Sequence, residues 1–251
     1  WNDALQPADP AMGERMCSAW TVTLHHQVLT TLAHALRSIG REQDAARFDT
    51  WASNVKRDFQ QVLLVDGVLT GYALFEEQGK VNYLLHPRDG ITGVKYSSLA
   101  MIHAVLEDLF DPEQLQQHLR LIDLKLSGPD GVRLFDRPMN YHGGPQRFFQ
   151  RAESATFFGR EIGLMYMHAH LRYAQALARV GETDRFFRAL CQANPIGIES
   201  LVPSATLRQA NCYYSSSDAA FEDRYQASAE YDRVAQGTVP LDGGWRVYSC
   251  G

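Results

Sequence analysis

Apolar and polar positions alternate with helical period along most of the first 125 residues. From Cys17 to Ile39, Trp20, Val22, Leu24, Val28, Leu29, Leu32, Leu36 and Ile39 recur at three- and four-residue steps, and Gly40 supplies a C-cap. A second stretch, 41–63, carries Ala46, Phe48, Trp51, Val55, Phe59 and Leu63 on one side. Two helices joined by so short a turn form an antiparallel hairpin. The pattern then breaks. Leu64-Val65, Asp66-Gly67 and Val68-Leu69 read as strand, turn and strand, with Gly71 interrupting before Tyr72 and Leu74. Helical period resumes over 96–109 and 112–125, the latter opened by Asp111-Pro112-Glu113, an N-cap followed by Pro at N1. A long helix over 155–180 ends at Gly181, and a shorter one spans 183–193. A further helix is expected near 218–236.

Six helices in three consecutive hairpins make this an all-α chain with a short β-hairpin and long loops. Successive hairpins can close a ring of inner and outer helices. An (α/α)6 barrel needs six of them, so three make half a barrel. The segments 1–16, 127–152 and 196–251 are too long for simple connections and are where function is expected.

Composition narrows the classes. The net charge is −5, with 24 basic and 29 acidic residues, and no basic stripe stands out, which argues against nucleic acid as a partner. No apolar run reaches the ~20 residues of a membrane helix, so no membrane partner is expected. Cys17, Cys191, Cys212 and Cys250 are far apart without a CxxC pair, so neither a metal nor a redox motif is suggested. Free thiols and a cytoplasmic location follow as the expectation. The GxGxxG, Walker, HExxH and GxSxG patterns are absent, so nicotinamide, ATP, zinc-protease and serine-hydrolase chemistry lack support.

Four groups of residues could carry chemistry. Trp1-Asn2-Asp3 is either a cap or turn, or a sugar subsite in which an indole lies against a pyranose beside a carboxyl able to protonate a glycosidic oxygen. In Arg160-Glu161-Ile162-Gly163 … His168-Ala169-His170, helical spacing would place Glu161, His168 and Arg172 on one face. Either histidine taken singly is equally explained as a packed, satisfied core residue. The loop Arg133–Pro138 with Tyr141-His142-Gly143-Gly144 suits sugar or anion contacts, or ordinary turn chemistry. Cys212–Asp218 and Trp245–Gly251 bring hydroxyls and a terminal glycine that could hold phosphate, although Ser217-Asp218 alone is no more than a helix cap.

Trp1-Asn2-Asp3, followed by Arg160-Glu161-Ile162-Gly163 … His168-Ala169, resembles the WND and K-E-N-G … H-A motifs of glycoside hydrolase family 94, the inverting phosphorylases of β-linked glucosaccharides. Arg133–Pro138 and Gly243–Ser249 look most like its 1,2-β-oligoglucan phosphorylase branch, and the resemblance covers the whole chain. It implies the C-terminal portion of the catalytic domain, with residues 1–251 a single partial domain truncated at both ends. It also implies Asp3 as general acid and Trp1 bordering the donor glucose. Glu161, with Arg160, Tyr141 and His142, would contact the sugar. His168, with Ser249 and Gly251, would bind phosphate. Arg160 and Ile162 stand where the family has Lys and Asn.

An inverting phosphorylase needs one carboxylic acid, because phosphate is already an anionic nucleophile. The partners implied are a β-glucooligosaccharide and phosphate as co-substrate, with no cofactor. Further site residues would lie upstream, so the chain alone is expected to be inactive. Two other readings remain: an inverting β-glucan hydrolase with Glu161 or Glu153 as base, and a non-catalytic carbohydrate-binding or assembly module. A half barrel would expose apolar faces, so a homodimer closing the ring is a further expectation.

Overall fold

A computed structural model describes residues 5–139, 145–154, 165–194, 196–201, 203, 212–213, 221–240 and 248–249. In chain order, a short helix α1 (Pro10–Gly13) leads into strand β1 (Met16–Ser18) and the first helical hairpin, α2 (Ala19–Ser38) with α3 (Glu42–Asp58). Ser18 caps α2 by accepting from the Thr21 amide, and Gly40 leaves the helix at φ 75°. A π turn over Phe59–Leu63 feeds the hairpin β2 (Leu64–Val65) and β3 (Val68–Leu69). Its turn residues Asp66 and Gly67 sit at φ 49° and 76°, the left-handed pair that a two-residue hairpin loop demands.

Strands β4 (Tyr72–Phe75) and β5 (Val81–Leu84) follow. With β1 they form an antiparallel sheet of order β1-β4-β5, in which Met16 faces Leu74 and Tyr72 faces Leu84. The second helical hairpin is α4 (Ser98–Leu106) with α5 (Pro112–Leu121). All nine residues of α4 are buried, and Asp111 forms a full capping box with Gln114 at the start of α5. A second π turn, Ile122–Leu126, again feeds a hairpin, β6 (Ser127–Gly128) and β7 (Gly131–Val132). Helix α6 (Gln150–Ser154) precedes the third pair, α7 (Met167–Arg179) and α8 (Thr183–Ala193). Then come α9 (Ile198–Leu201), β8 (Cys212–Tyr213), α10 (Arg224–Glu230), α11 (Asp232–Ala235) and β9 (Tyr248–Ser249), with β8 and β9 paired.

The chain is mainly helical, as expected. Helix α4 packs between α2 and α7, while α3 lies on α2 and α8 on α7. The first helices of the three pairs, α2, α4 and α7, thus stand side by side as an inner row, with α3 and α8 against its two ends. The main core lies along this row, around Phe59, Met101, Ile102, Leu119, Ile122 and Leu177. A second cluster, with Leu5, Tyr72, Leu84, Phe135 and Phe149, sits under the sheet, and a third joins Met165 and Met167 to α10 and α11.

Three expectations change. The β content is larger than one hairpin. The helix near 218–236 is two short helices. The long helix expected from residue 155 starts at Met167: Tyr166 is extended (φ −106°, ψ 115°), and Met165 forms a β-bridge with Arg133. Met165 is fully buried, and its place in the apolar pattern mimics a helical position. The helical face that carries His168 therefore begins at Met167, and Glu161 lies outside the described residues.

Two histidines are structural. His118 is fully buried and stacked on Phe110 at 4.1 Å and 13°. Its Nε2 accepts from the Leu69 amide at 3.0 Å, so Nδ1 carries the proton donated to Gln114 O at 2.6 Å. His170 likewise accepts from the Val132 amide at Nδ1 (3.1 Å) and donates from Nε2 to Ala189 O (2.7 Å). Gly131 permits this: at φ 132°, a Cβ there would lie 2.9 Å from the His170 ring. Both rings must stay neutral. Burial holds His118 down at about 4 and lowers His170 from its ordinary value.

A folded-state pKa below the unfolded one gives stability that is complete above pH ~6.5 and is lost as pH falls toward 4. His118 alone is worth about 2 kcal/mol between pH 7 and pH 5. Urea midpoints of the chain are expected to fall over that interval, and an unchanged midpoint would contradict the neutral-ring assignment.

A cleft at the start of the inner helices

Among the described residues, the candidate site is a cleft of about 550 Å³ lined by α2, α4 and α7. Trp20 and Leu24 come from α2, and Leu99 and His103 from α4. Tyr166, His168, Arg172 and Gln175 come from the start of α7. One α-helical face sets the last three: steps of four and three residues stack them along the side of α7 away from His170. His168 and Arg172 thus share a face, as the spacing predicted, and His170 does not join them. The Tyr166 ring lies edge-on to His168 at 5.6 Å, and Arg172 donates from Nη1 to Gln175 Oε1 at 2.7 Å. Partial burial, then the Arg172 charge, lowers the His168 pKa from its ordinary value.

On the opposite wall, Trp20 meets His103 edge-on at 6.0 Å and 72°. Burial, then Arg172, holds His103 at about 4. The Trp20 Nε1 and His103 Nδ1 atoms are buried without a hydrogen-bond partner among the described residues. Sequence reasoning singled out neither as a lining residue of the cleft. Trp20 was absorbed into the apolar pattern of its helix. The available signal was His103, the one titratable residue in the run Ser98-Leu99-Ala100-Met101-Ile102-His103-Ala104-Val105-Leu106.

Trp1, Asp3, Tyr141, His142, Arg160, Glu161 and Gly251 lie outside the described residues. The chain is well anchored just beyond Asp3. Leu5 is buried, Ala8 N donates to Phe148 O at 2.8 Å, Gln150 N donates to Gln6 O at 3.0 Å, and Pro7 bridges Phe149. At the other end, β8 and β9 place Cys212 opposite Ser249, so the backbones of the two segments singled out for phosphate do meet.

The loop from Arg133 is committed to structure. Arg133 is buried and paired with the fully buried Asp130 at 2.9 Å, and Asp136 accepts from the Lys95 and Tyr96 amides at 2.8 and 2.9 Å. Among the described residues of this loop, the Arg133 and Asp136 side chains are thus engaged by protein groups. Glu153 is buried too, and accepts from the Arg147, Phe148 and Phe149 amides. A carboxylate holding a helix entrance in this way is poorly placed to activate water, which weakens one form of the hydrolase reading. No group of three potential metal ligands occurs among the described residues, and no helix there is long and apolar enough to cross a membrane.

No family model matches the chain. A 1,2-beta-oligoglucan phosphorylase from Listeria innocua is 43% identical to it over 252 aligned positions, covering 100% of this chain and 23% of the relative. The chain spans about a quarter of the length of that curated relative. An alignment of this identity over the chain's whole length extends the likeness far beyond the two short motifs. Over its whole length the chain is thus a relative of 1,2-beta-oligoglucan phosphorylase, corresponding to a segment of that longer protein.

Proposed function

We propose that the chain is part of an inverting phosphorylase that cleaves β-1,2-linked glucooligosaccharides to α-glucose 1-phosphate and a shortened glucan. The observation that carries this is the 43% identity along the whole chain to a protein named for that activity. In the proposed reaction Asp3 gives its proton to the glycosidic oxygen while a phosphate oxygen attacks the anomeric carbon from the opposite face. The carbon–oxygen bond to the leaving sugar breaks, and the configuration inverts. Trp1 borders the reacting glucose, and Glu161, Arg160, Tyr141 and His142 contact sugar. His168, Ser249 and Gly251 hold phosphate in line.

His168 sits at the mouth of the cleft, in the first turn of α7, where it can meet a ligand. The three inner helices lie side by side like staves, which supports the half-barrel reading. We take the rest of the ring, and the remaining site residues, to come from other parts of the longer protein. A second copy closing the ring is the alternative.

The test is product formation from β-1,2-glucooligosaccharide by the longer protein and by the 251-residue chain. Glucose 1-phosphate is expected from the longer protein only, and only with phosphate present. Free glucose released in phosphate-free buffer would instead make it a hydrolase.

A further inference from the structure

Two residues that line the cleft carry a buried polar atom for which the described protein supplies no partner, the Trp20 indole Nε1 and the His103 Nδ1. Each costs about 1–3 kcal/mol if it stays unsatisfied, so a ligand or water that meets both is favoured there. They occupy neighbouring positions on one wall, the rings 6.0 Å apart. We propose that this wall binds a glucosyl unit of the oligosaccharide, with Trp20 Nε1 and His103 Nδ1 hydrogen-bonding its hydroxyls, and is not the phosphate site.

Three observations support the choice. The cleft volume, about 550 Å³, falls in the range of small organic ligands and is generous for phosphate alone. Trp20 and Tyr166, with Leu24, Leu99 and Leu171, give it apolar and aromatic surface suited to the carbon face of a pyranose. A hydroxyl both donates and accepts, so it satisfies the donor-only indole and either tautomer of His103. Phosphate dianion only accepts, so it would meet His103 Nδ1 only in the tautomer that carries the proton there. With burial, then Arg172, holding His103 near 4, the ring adds no positive charge to attract an anion at neutral pH. Arg172 is the only formal cation lining the cleft among the described residues, and Gln175 already accepts from it. His103 and Trp20 would then help select the sugar, while phosphate is held nearer His168.

This inference rests on the proposed reaction with an oligosaccharide, but its test separates the two. The indole N–H resonances of the 251-residue chain are followed by NMR, with Trp20 assigned through Trp20→Phe. β-1,2-Linked glucobiose and inorganic phosphate are titrated separately. Glucobiose is expected to move the Trp20 signal, and phosphate alone to leave it in place. Trp20→Phe and His103→Gln are each expected to weaken glucobiose binding about tenfold, one hydrogen bond's worth. Phe keeps an aromatic ring in place, so the Trp20 variant remains informative if His103→Gln folds poorly.

A Trp20 shift caused by phosphate, or no shift with either ligand, overturns the proposal. The second outcome would mean that other protein segments, not sugar, fill the cleft. Sugar binding here without glucose 1-phosphate formation by the longer protein would refute the phosphorylase reading and leave the site standing.

Discussion

Asp3→Asn, made in the longer protein that carries this chain, is expected to lower glucose 1-phosphate formation by about a thousandfold. Asn keeps the size and hydrogen-bonding reach of Asp but has no acidic proton to give the departing oxygen, and a positioned acid is typically worth 10²–10⁴ in rate. The loss should fall on kcat, with the KM for phosphate little changed, because the proton is needed only as the bond breaks. A substrate whose leaving group departs without protonation, such as a nitrophenyl glucoside, should lose much less. That contrast separates an acid from a structural capping role, which would slow both substrates alike. Equal activity of variant and parent would favour the non-catalytic reading.

The helical hairpins were legible because their signals are local. Gly40, the Asp111-Pro112 cap and the Asp66-Gly67 turn each fix the backbone within a few residues, and the structure places each as expected. The start of α7 was not legible. Met165 is apolar because it packs in the core and bridges Arg133, a contact 32 residues away in sequence that helical period cannot reveal. The same limit hid one wall of the cleft. Trp20 and His103 are 83 residues apart, and each looks like an ordinary helix residue until α2 and α4 are set side by side. His168 and His170 show the converse. Two positions apart, they point to opposite sides of one helix, one to the cleft and the other to a pair of backbone partners. A sequence motif names both, and only the packing assigns them different work.

Phe149→Ala should cost about 3–5 kcal/mol of stability, the range for deleting a buried aromatic ring. Phe149 is fully buried in the cluster under the sheet, with its ring 5.8 Å from Tyr72 and 5.6 Å from Phe148. Its backbone donates to Glu153 at 2.8 Å and bridges Pro7, and Leu5 belongs to the same cluster. Domains of this kind are stable by only 5–15 kcal/mol, so the loss would be a large part of the total. Urea denaturation measures it directly, and Phe149→Leu, which keeps most of the volume, should lose much less. The longer protein should show a second effect where it remains folded. Loosening the packing around Leu5 frees the segment leading to Asp3, and a catalytic acid displaced by about 1 Å can lose on the order of a hundredfold in rate. A lowered kcat in folded Phe149→Ala would tie the core under the sheet to the acid at the chain's start. An unchanged kcat, alongside the expected fall in stability, would show that Asp3 is held by other contacts.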